Sequence, residues 1–490
     1  MSTNGDDGDP VMDWALGERI GGERAPDLVD AVRARLAAGG APDPMARRRW
    51  TTQLWAAAIV VLGVFVVVAV AVWPRGADRD VAEPPVQEPP LAPVYTKADA
   101  DALPAATRGV EAFDVDDATI AALTRLRDLE VLVVREPFHE SFGLSPKRQP
   151  PTDPKHVTAA AWKDLLSFTK LRRLELSGTL LAGRVPPEQI ADALERLPLL
   201  SSLALRYLDT SEELLRVLPR IRGLQCLDLS FNHGFDGGWI DAVVQCRALR
   251  VLSVCGCQQV NGVELARLCE LPDLEDLDVG MIDGINMRND GNHLSWRGKN
   301  RRGMGPTDEA LAGLAKCSKL RVLNVTGGNW TAAGLALLGE CKDLKVLLAS
   351  GGDPNHSFVA SLPAGLERLE VCGDYKDAFC AAVAEHLPKL RHLTIAACYR
   401  ITDSGLAKVA AMPSLRVLDM RQMRGLTVAS IDTLLAATQL EDLDVRHCEF
   451  VTAEHIVRLR RSLPHLQHLE TSVDAKQIEA AEKSSETLRK

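Results

Sequence analysis

Along most of the chain, leucine and other apolar residues recur in the spacing L-x-x-L-x-L. Thirteen copies begin at Leu129, Leu171, Leu200, Leu224, Leu249, Leu274, Leu320, Leu344, Leu366, Leu390, Leu415, Leu440 and Leu466. Ten of the twelve intervals between them are 22 to 29 residues long, and the other two each hold about one repeat plus an insertion. The last two apolar positions of a copy alternate with polar ones, which predicts a short strand with one face directed inward.

A helical stretch follows the strand in each unit. In the copy that begins at Leu390, Thr402 is a candidate N-cap, and Leu406, Val409 and Ala410 lie on one helical face. Each unit has an apolar face that it cannot bury alone, so stacking of units creates the core. The pattern predicts an α/β leucine-rich-repeat solenoid of about 13 repeats over residues 98–475, with a charged carboxyl-terminal tail over 476–490.

The best unit carries a more specific motif. In LRHLTIAACYRITDSGLAKVAAMP, Cys398, Ile401, Thr402, Asp403 and Leu406 fit C-x-x-I-T-D-x-x-L. The array resembles the cysteine-containing leucine-rich repeats, which are related to the ribonuclease-inhibitor-like horseshoes. This resemblance implies a binding scaffold. Many eukaryotic members are substrate receptors of ubiquitin ligases, but the absence of an F-box-like segment before the array disfavours that second alternative.

Residues 51–73, TTQLWAAAIVVLGVFVVVAVAVW, contain no charged residue. A helix of this length spans about 34 Å, enough to cross a hydrocarbon core of about 30 Å. Arg47, Arg48 and Arg49 precede it, whereas only Arg75 and Arg79 follow within twenty residues. The positive-inside rule then predicts a single-pass protein with a cytoplasmic amino terminus and a periplasmic or extracellular repeat domain.

Two segments flank this predicted span. Residues 1–49 hold too few large apolar residues for a core and predict a partly disordered cytoplasmic tail. Residues 74–97 are rich in proline, which indicates a semi-rigid extended linker. An amphipathic stretch over 26–38 leaves open the alternative that the tail docks a cytosolic partner and the protein signals across the membrane.

The composition narrows the functional classes. The net charge of −9 argues against nucleic-acid binding through a large basic face. The bias towards Ala, Gly, Arg and Asp suggests a bacterial inner-membrane protein. Six of the eleven cysteines recur at two fixed repeat positions, which favours core packing over metal or redox chemistry.

The residue between the last two apolar positions of each copy is expected on the concave face. Seven such positions are candidate partner-binding residues: Glu175, Asp228, Asp278, Asn324, Glu370, Asp419 and Asp444. A trough lined with one sign of charge attracts a cationic protein ligand. The alternative interpretation is that these polar residues only solvate the sheet.

A second candidate is the Gly- and Asn-rich insertion over 281–306. Its candidate binding residues are Arg288, Trp296, Arg297, Lys299, Arg301 and Arg302. Loops on rigid repeat scaffolds often carry recognition, although a solvated surface loop has the same composition. We find no phosphate-binding glycine-lysine loop, H-E-x-x-H or G-x-S-x-G motif, so the sequence predicts no catalytic residue, cofactor or metal.

Overall fold

The computed structural model describes residues 88–113, 115–135, 158–177, 187–206, 212–232, 238–257, 260, 262–280, 306–351 and 355–487. The predicted tail (1–49) and membrane span (51–73) lie outside these ranges, as do most of the linker and the insertion over 281–305. Within the described ranges, no helix combines the length and the apolar character that a bilayer crossing requires.

Fifteen parallel strands form one sheet in which each strand pairs with its neighbours in the sequence. They are β1 Ala92–Val94, β2 Gly109–Phe113, β3 Val131–Arg135, β4 Arg173–Ser177, β5 Ser202–Arg206, β6 Cys226–Asp228, β7 Val251–Ser253, β8 Asp276–Asp278, β9 Val322–Asn324, β10 Val346–Leu348, β11 Arg368–Glu370, β12 His392–Thr394, β13 Val417–Asp419, β14 Asp442–Asp444 and β15 His468–Glu470. A sheet without hairpins needs a crossover between every pair of strands.

Helices supply those crossovers. They are α1 Lys97–Ala102, α2 Asp117–Leu123, α3 Ala159–Leu165, α4 Pro187–Glu195, α5 Glu212–Val217, α6 Trp239–Val243, α7 Gly262–Ala266, α8 Asp308–Leu314, α9 Ala332–Leu337, α10 Asp377–His386, α11 Asp403–Ala410, α12 Ser430–Ala436, α13 Ala453–Ser462 and α14 Ala475–Thr487. Short 3₁₀ helices lie at Leu218–Arg220, Arg267–Glu270, Leu338–Glu340 and His356–Ser361. This alternation makes the described part of the chain a leucine-rich-repeat solenoid, as the sequence predicted.

The core is a ladder of leucines between the sheet and the helices. The middle residues of β12, β13 and β14 (Leu393, Leu418 and Leu443) are at most 2% exposed. They belong to one hydrophobic cluster with Leu406 and Val409 of α11. Replacing such a leucine by alanine costs about 2–5 kcal/mol, because the neighbouring repeats cannot close the cavity.

Both ends of the array differ from the sequence prediction. The sheet begins at Ala92, inside the segment predicted as linker, and β1 and β2 precede the first L-x-x-L-x-L copy. These strands were missed because β2, GVEAF, buries Val110 and Ala112 where the motif has leucine. Most of the predicted charged tail forms α14, which packs on α13 through Ile478, 6% exposed. The pattern of apolar residues in α14 is too sparse to form a further repeat.

A tight turn follows many of the strands. The third residue after the strand has a positive φ, as in Gly256 (68°) and Gly327 (78°). Its backbone N–H donates to the next repeat, for example from Gly256 to the carbonyl of Gly280 at 2.9 Å. Four turns hold non-glycine residues in this conformation: Phe231 (φ 61°), Ala397 (55°), Gln422 (57°) and His447 (56°). A β-carbon makes the left-handed region unfavourable by about 1–2 kcal/mol.

Carboxylates at the helix starts link successive repeats. Asp377, at the start of α10, accepts hydrogen bonds from the backbone N–H and the hydroxyl of Thr402 in the next repeat, both at 2.7 Å. Thr402 in turn caps α11 by accepting from the backbone N–H of Ser404. The same inter-repeat bonds join Asp403 to Thr427. We call this arrangement the Asp–Thr clamp. It also joins Asp117 to Thr158 and Asp308 to Thr331.

Candidate binding surface

Three rows of side chains form the face of the sheet opposite the helices. On β6, Leu227 is buried in the core, whereas Cys226 and Asp228 point to the other face and are partly exposed. Ser230, two residues further on, shares that face, because its hydroxyl donates to Asp228 at 2.5 Å. We call these positions the first, second and third rows. Helices are wider than the strand spacing of about 4.8 Å, so this open face is the inner side of the solenoid's curve.

The strand register places all seven predicted partner-binding residues in the second row. Each aligns with its neighbour through the pairings of β4 to β14: Glu175, Asp228, Asp278, Asn324, Glu370, Asp419 and Asp444. Their geometry therefore follows from the leucine pattern. The register does not set their charge environment, which depends on the other two rows.

Arginines of the first and third rows pair with the acidic second row. Arg206 Nε lies 2.6 Å from Asp228 Oδ2, and Arg368 Nε lies 2.6 Å from Glu370 Oε1. Arg173 pairs with Glu175 in the same way, with Nε 2.9 Å from Oε1. Sequence reasoning missed these arginines because it considered only one position per strand, although residues two apart share a face.

The carboxyl-terminal end of the open face carries the densest charge network. Arg421 bridges two repeats: its Nη2 lies 2.7 Å from Asp419 Oδ2, and its Nε lies 3.4 Å from Asp444 Oδ2. Arg446 donates to the same Asp444 oxygen at 2.6 Å. These ion pairs neutralise most of the negative charge on which the acidic-trough interpretation depends.

Burial and ion pairing act in opposite directions on these carboxyls. Burial favours the neutral form of Glu175, but Arg173 and Arg206 outweigh it and hold its pKa below the ordinary value. In Glu370 burial dominates, and its pKa is raised even though Arg368 opposes the shift. Burial also lowers the pKa of the neighbouring His392 to about 3, and Arg368 adds to this effect. His392 is therefore neutral at physiological pH.

Asp278 differs from the other predicted carboxylates. It accepts a hydrogen bond from the backbone N–H of Gly280 at 2.9 Å, and no arginine or lysine in the described part of the chain lies within ion-pair distance. Burial, together with Asp228 and Asp276, raises the pKa of Asp278 to about 8. The side chain is only 6% exposed. Asp278 is thus mostly protonated at neutral pH and adds little to the charge of the face.

Apolar side chains occupy most of the first row in the middle of the face, where Asp276 of β8 lies between Val251 and Val322. Val251, Val322 and Val346 lie on β7, β9 and β10, and each is partly exposed. Leu348 adds a nearly buried apolar residue in the second row of β10. The middle of the open face is therefore mainly apolar in its first row, apart from Asp276, and arginine–carboxylate pairs lie on both sides of it.

The six predicted loop residues, Arg288, Trp296, Arg297, Lys299, Arg301 and Arg302, lie outside the described residues. The binding role predicted for this insertion stays a prediction. The described chain ends at Gly280 on one side of it and resumes at Pro306 on the other.

The cysteines are free thiols, and eight of the eleven are buried. Burial raises the pKa of Cys246 to about 12 and that of Cys341 to about 11. Such thiols are poor nucleophiles and poor metal ligands, because both roles need the thiolate. In the described ranges, no group of three or more His, Cys, Asp or Glu side chains is arranged to hold a metal ion.

Comparison with solved structures finds similar folds at low sequence identity. The chain is similar to an internalin (inlF) from Listeria monocytogenes, with 19% identity over 65% of this chain and 86% of the internalin and a TM-score of 0.40. It is also similar to a chain of the Rad7 and Elc1 complex in yeast, with 18% identity over 74% of this chain and 81% of that one and a TM-score of 0.47. No family model matches the sequence.

Proposed function

We propose that this protein is a non-catalytic scaffold that binds a protein ligand on the open face of its repeat domain. The observation that carries this proposal is the 15-stranded sheet, whose second face bears three rows of side chains and is covered by no helix among the described residues. A rigid, extended and curved surface of this kind suits the recognition of another macromolecule better than that of a small molecule.

The distribution of side chains supports a protein as the ligand. Protein interfaces place apolar groups at the centre and polar groups at the rim. Val251, Val322 and Val346 supply such a centre around Asp276, and the pairs Arg206–Asp228 and Arg421–Asp419 flank it. Because these carboxylates are already paired, the ligand needs little net positive charge.

We also propose that residues 51–73 anchor the protein in a bacterial inner membrane, with the repeat domain on the non-cytoplasmic face. The support is the uncharged 23-residue stretch and the arginines at 47–49. Alkaline extraction of membranes tests the anchor: the full chain stays in the pellet, and a variant that lacks 51–73 is released. Protease added to intact spheroplasts tests the orientation, because it should digest the repeat domain and spare the tail.

The cysteine-containing repeat subfamily is part of the same proposal. Its support is the repeated position of Cys257 and Cys448, whose thiols each donate to a carbonyl of the preceding repeat at 3.0 Å. These contacts give the cysteine a structural role within each turn. Serine at these positions should preserve the donor but bury a more polar group.

Site-specific photo-crosslinking tests the binding surface. A photoreactive amino acid at Val346 should form a crosslink to one discrete protein, whereas the same amino acid at Lys408, on the surface of α11, should not. The purified crosslinked protein should bind the wild-type chain and lose affinity for Val346→Glu. Equal crosslinking from both positions, or unchanged affinity of Val346→Glu, would reject the open face as the binding surface.

A further inference from the structure

A second surface lies at the edge of the sheet where the strands end and the chain turns towards the helices. Tyr399 follows β12, and its side chain is 45% exposed. Arg424 follows β13, and its guanidinium carbon lies 5.2 Å from the centre of the Tyr399 ring. This distance is within the range of a cation–π contact. No carboxylate in the described part of the chain forms an ion pair with Arg424.

Two more cations lie on the same edge. The backbones of Lys376 and Arg400 form a parallel bridge, so these residues are direct neighbours across two repeats. Both are exposed. Arg400 pairs with Asp374 at 3.0 Å, whereas Lys376 has no ion pair within the described ranges. We call Lys376, Tyr399, Arg400 and Arg424 the basic edge.

The acidic residues nearby do not cancel this charge. Asp374 neutralises Arg400, and Glu449 occupies the position one repeat beyond Arg424 without an ion pair to it. Asp377, next to Lys376, is held by Thr402 and Ser404. A chain with a net charge of −9 therefore presents a local surface with two exposed, unpaired cations beside an exposed aromatic ring.

Close backbone packing fixes the geometry of the central pair. A β-carbon on Gly425 would lie 2.4 Å from the carbonyl oxygen of Ile401 and 2.6 Å from that of Tyr399. Only glycine permits this approach of the two turns, which brings Arg424 next to Tyr399. The backbone thus holds Arg424 beside Tyr399, and contact with the ring restricts the guanidinium before any ligand arrives, which lowers the entropy cost of binding.

We propose that the basic edge is a docking surface for an acidic segment of a protein partner, with Arg424 as the carboxylate-binding residue and Tyr399 as its support. Arginine binds carboxylates through two parallel hydrogen bonds, and tyrosine and arginine are enriched among the residues that dominate protein interfaces. The proposal rests on the proposed function only in that the ligand is a protein. It uses a different surface from the open face.

A defined probe tests this surface on the full chain. Fluorescein-labelled octaglutamate should bind the wild-type protein at low ionic strength, as measured by fluorescence anisotropy. Arg424→Gln should weaken this binding about tenfold, and Tyr399→Ala should weaken it by a smaller factor. Tyr399→Phe retains the ring and should bind like the wild type. Arg391→Gln is the matched control, because Arg391 is exposed in the same repeat as Tyr399 but precedes β12 instead of following it.

Further measurements distinguish the basic edge from the open face, and an acidic peptide from a nucleic acid as the ligand. Val346→Glu on the open face should leave octaglutamate binding unchanged, so failure of the basic edge and failure of the proposed function are separable. Absence of octaglutamate binding, or equal loss in Arg391→Gln and Arg424→Gln, overturns the proposal. Tighter binding of an octathymidylate oligonucleotide than of octaglutamate also overturns it, because the surface would then recognise phosphates. Circular dichroism of each variant confirms that the fold is retained.

Discussion

Asp377 and Thr402 lie 25 residues apart in the sequence, and their side chains connect two repeats at the start of their helices. The carboxylate accepts from both donors of Thr402, and Ser404 donates to it at 2.8 Å. The glycine that follows is part of the arrangement, because a β-carbon on Gly405 would lie 2.4 Å from Asp377 Oδ1. One aspartate thus organises the first turn of the next helix.

Loss of the Asp377 carboxylate should destabilise the repeat domain. Asp377→Ala removes three hydrogen bonds to a charged acceptor, and we expect a loss of about 1–3 kcal/mol in the free energy of unfolding. Urea unfolding followed by circular dichroism measures the change. Asp432→Ala is the control, since the side chain of Asp432 is 81% exposed and forms only a surface ion pair with Arg458. Equal unfolding midpoints for the two variants would contradict a structural role for the clamp.

Acid should weaken the same clamps. Partial burial of Asp377 and Asp403 opposes ionisation. Hydrogen bonds from Thr402 to Asp377, and from Ser430 and Thr427 to Asp403, outweigh it and hold both pKa values below the ordinary value. Each aspartate therefore stabilises the folded state above the pKa of the unfolded chain. This contribution is lost as the pH falls through the folded pKa. The double variant Asp377→Asn/Asp403→Asn should show a smaller drop in melting temperature between pH 6 and pH 3 than the wild type (a range chosen from the ordinary aspartate pKa).

Asp278 should show the opposite pH dependence. Its pKa is raised to about 8 by burial and by Asp228 and Asp276, so the folded state binds a proton that the unfolded state has already released. Stability should therefore fall as the pH rises from the ordinary aspartate range towards 8. Asp278→Asn should raise the melting temperature at neutral pH and reduce this slope. Asp228→Asn should lower the melting temperature at neutral pH, because Asp228 is paired with Arg206. A lower melting temperature for Asp278→Asn at pH 8 would contradict the raised pKa.

Relief of backbone strain should stabilise the turn after β13. Gln422 has a φ of 57° and an exposed side chain, so Gln422→Gly loses few contacts and removes the unfavourable β-carbon. We expect a gain of about 1 kcal/mol in the free energy of unfolding. Gln422→Ala separates the two effects, because it removes the side chain but keeps the β-carbon. If alanine and glycine stabilise equally, the strain interpretation is wrong.

Local sequence patterns predicted the repeat geometry because every unit has the same apolar positions to bury against its neighbours. Leu393, Leu418 and Leu443 occupy the predicted inward positions, and Thr402 caps α11 as expected. The positions of the second-row residues followed from the same pattern. The leucine pattern did not predict the two amino-terminal strands, because Val110 and Ala112 are small and break the leucine spacing.

Charge pairing between repeats could not be read from a single strand. Arg421 contacts both Asp419 and Asp444, which are 25 residues apart, so its role depends on the stacking register. Tyr399 and Arg424 also meet only because of the stacking register. The close approach of Gly425 to the backbone of the preceding repeat is marked in the sequence only by the glycine itself. A search for equivalent positions across successive copies would have found both relationships.

The Asp–Thr clamps around α10 and α11 end before the last two repeats. Asp377 binds Thr402, and Asp403, the residue after Thr402, binds Thr427. The residues after Thr427 and Thr452 are Val428 and Ala453, so no clamp forms there. Amide hydrogens of the last two repeats should consequently exchange with deuterium sooner than those around α10 and α11. Because each repeat of a linear array contacts only its neighbours, we expect the carboxyl-terminal end to open separately from the clamped repeats at α10 and α11.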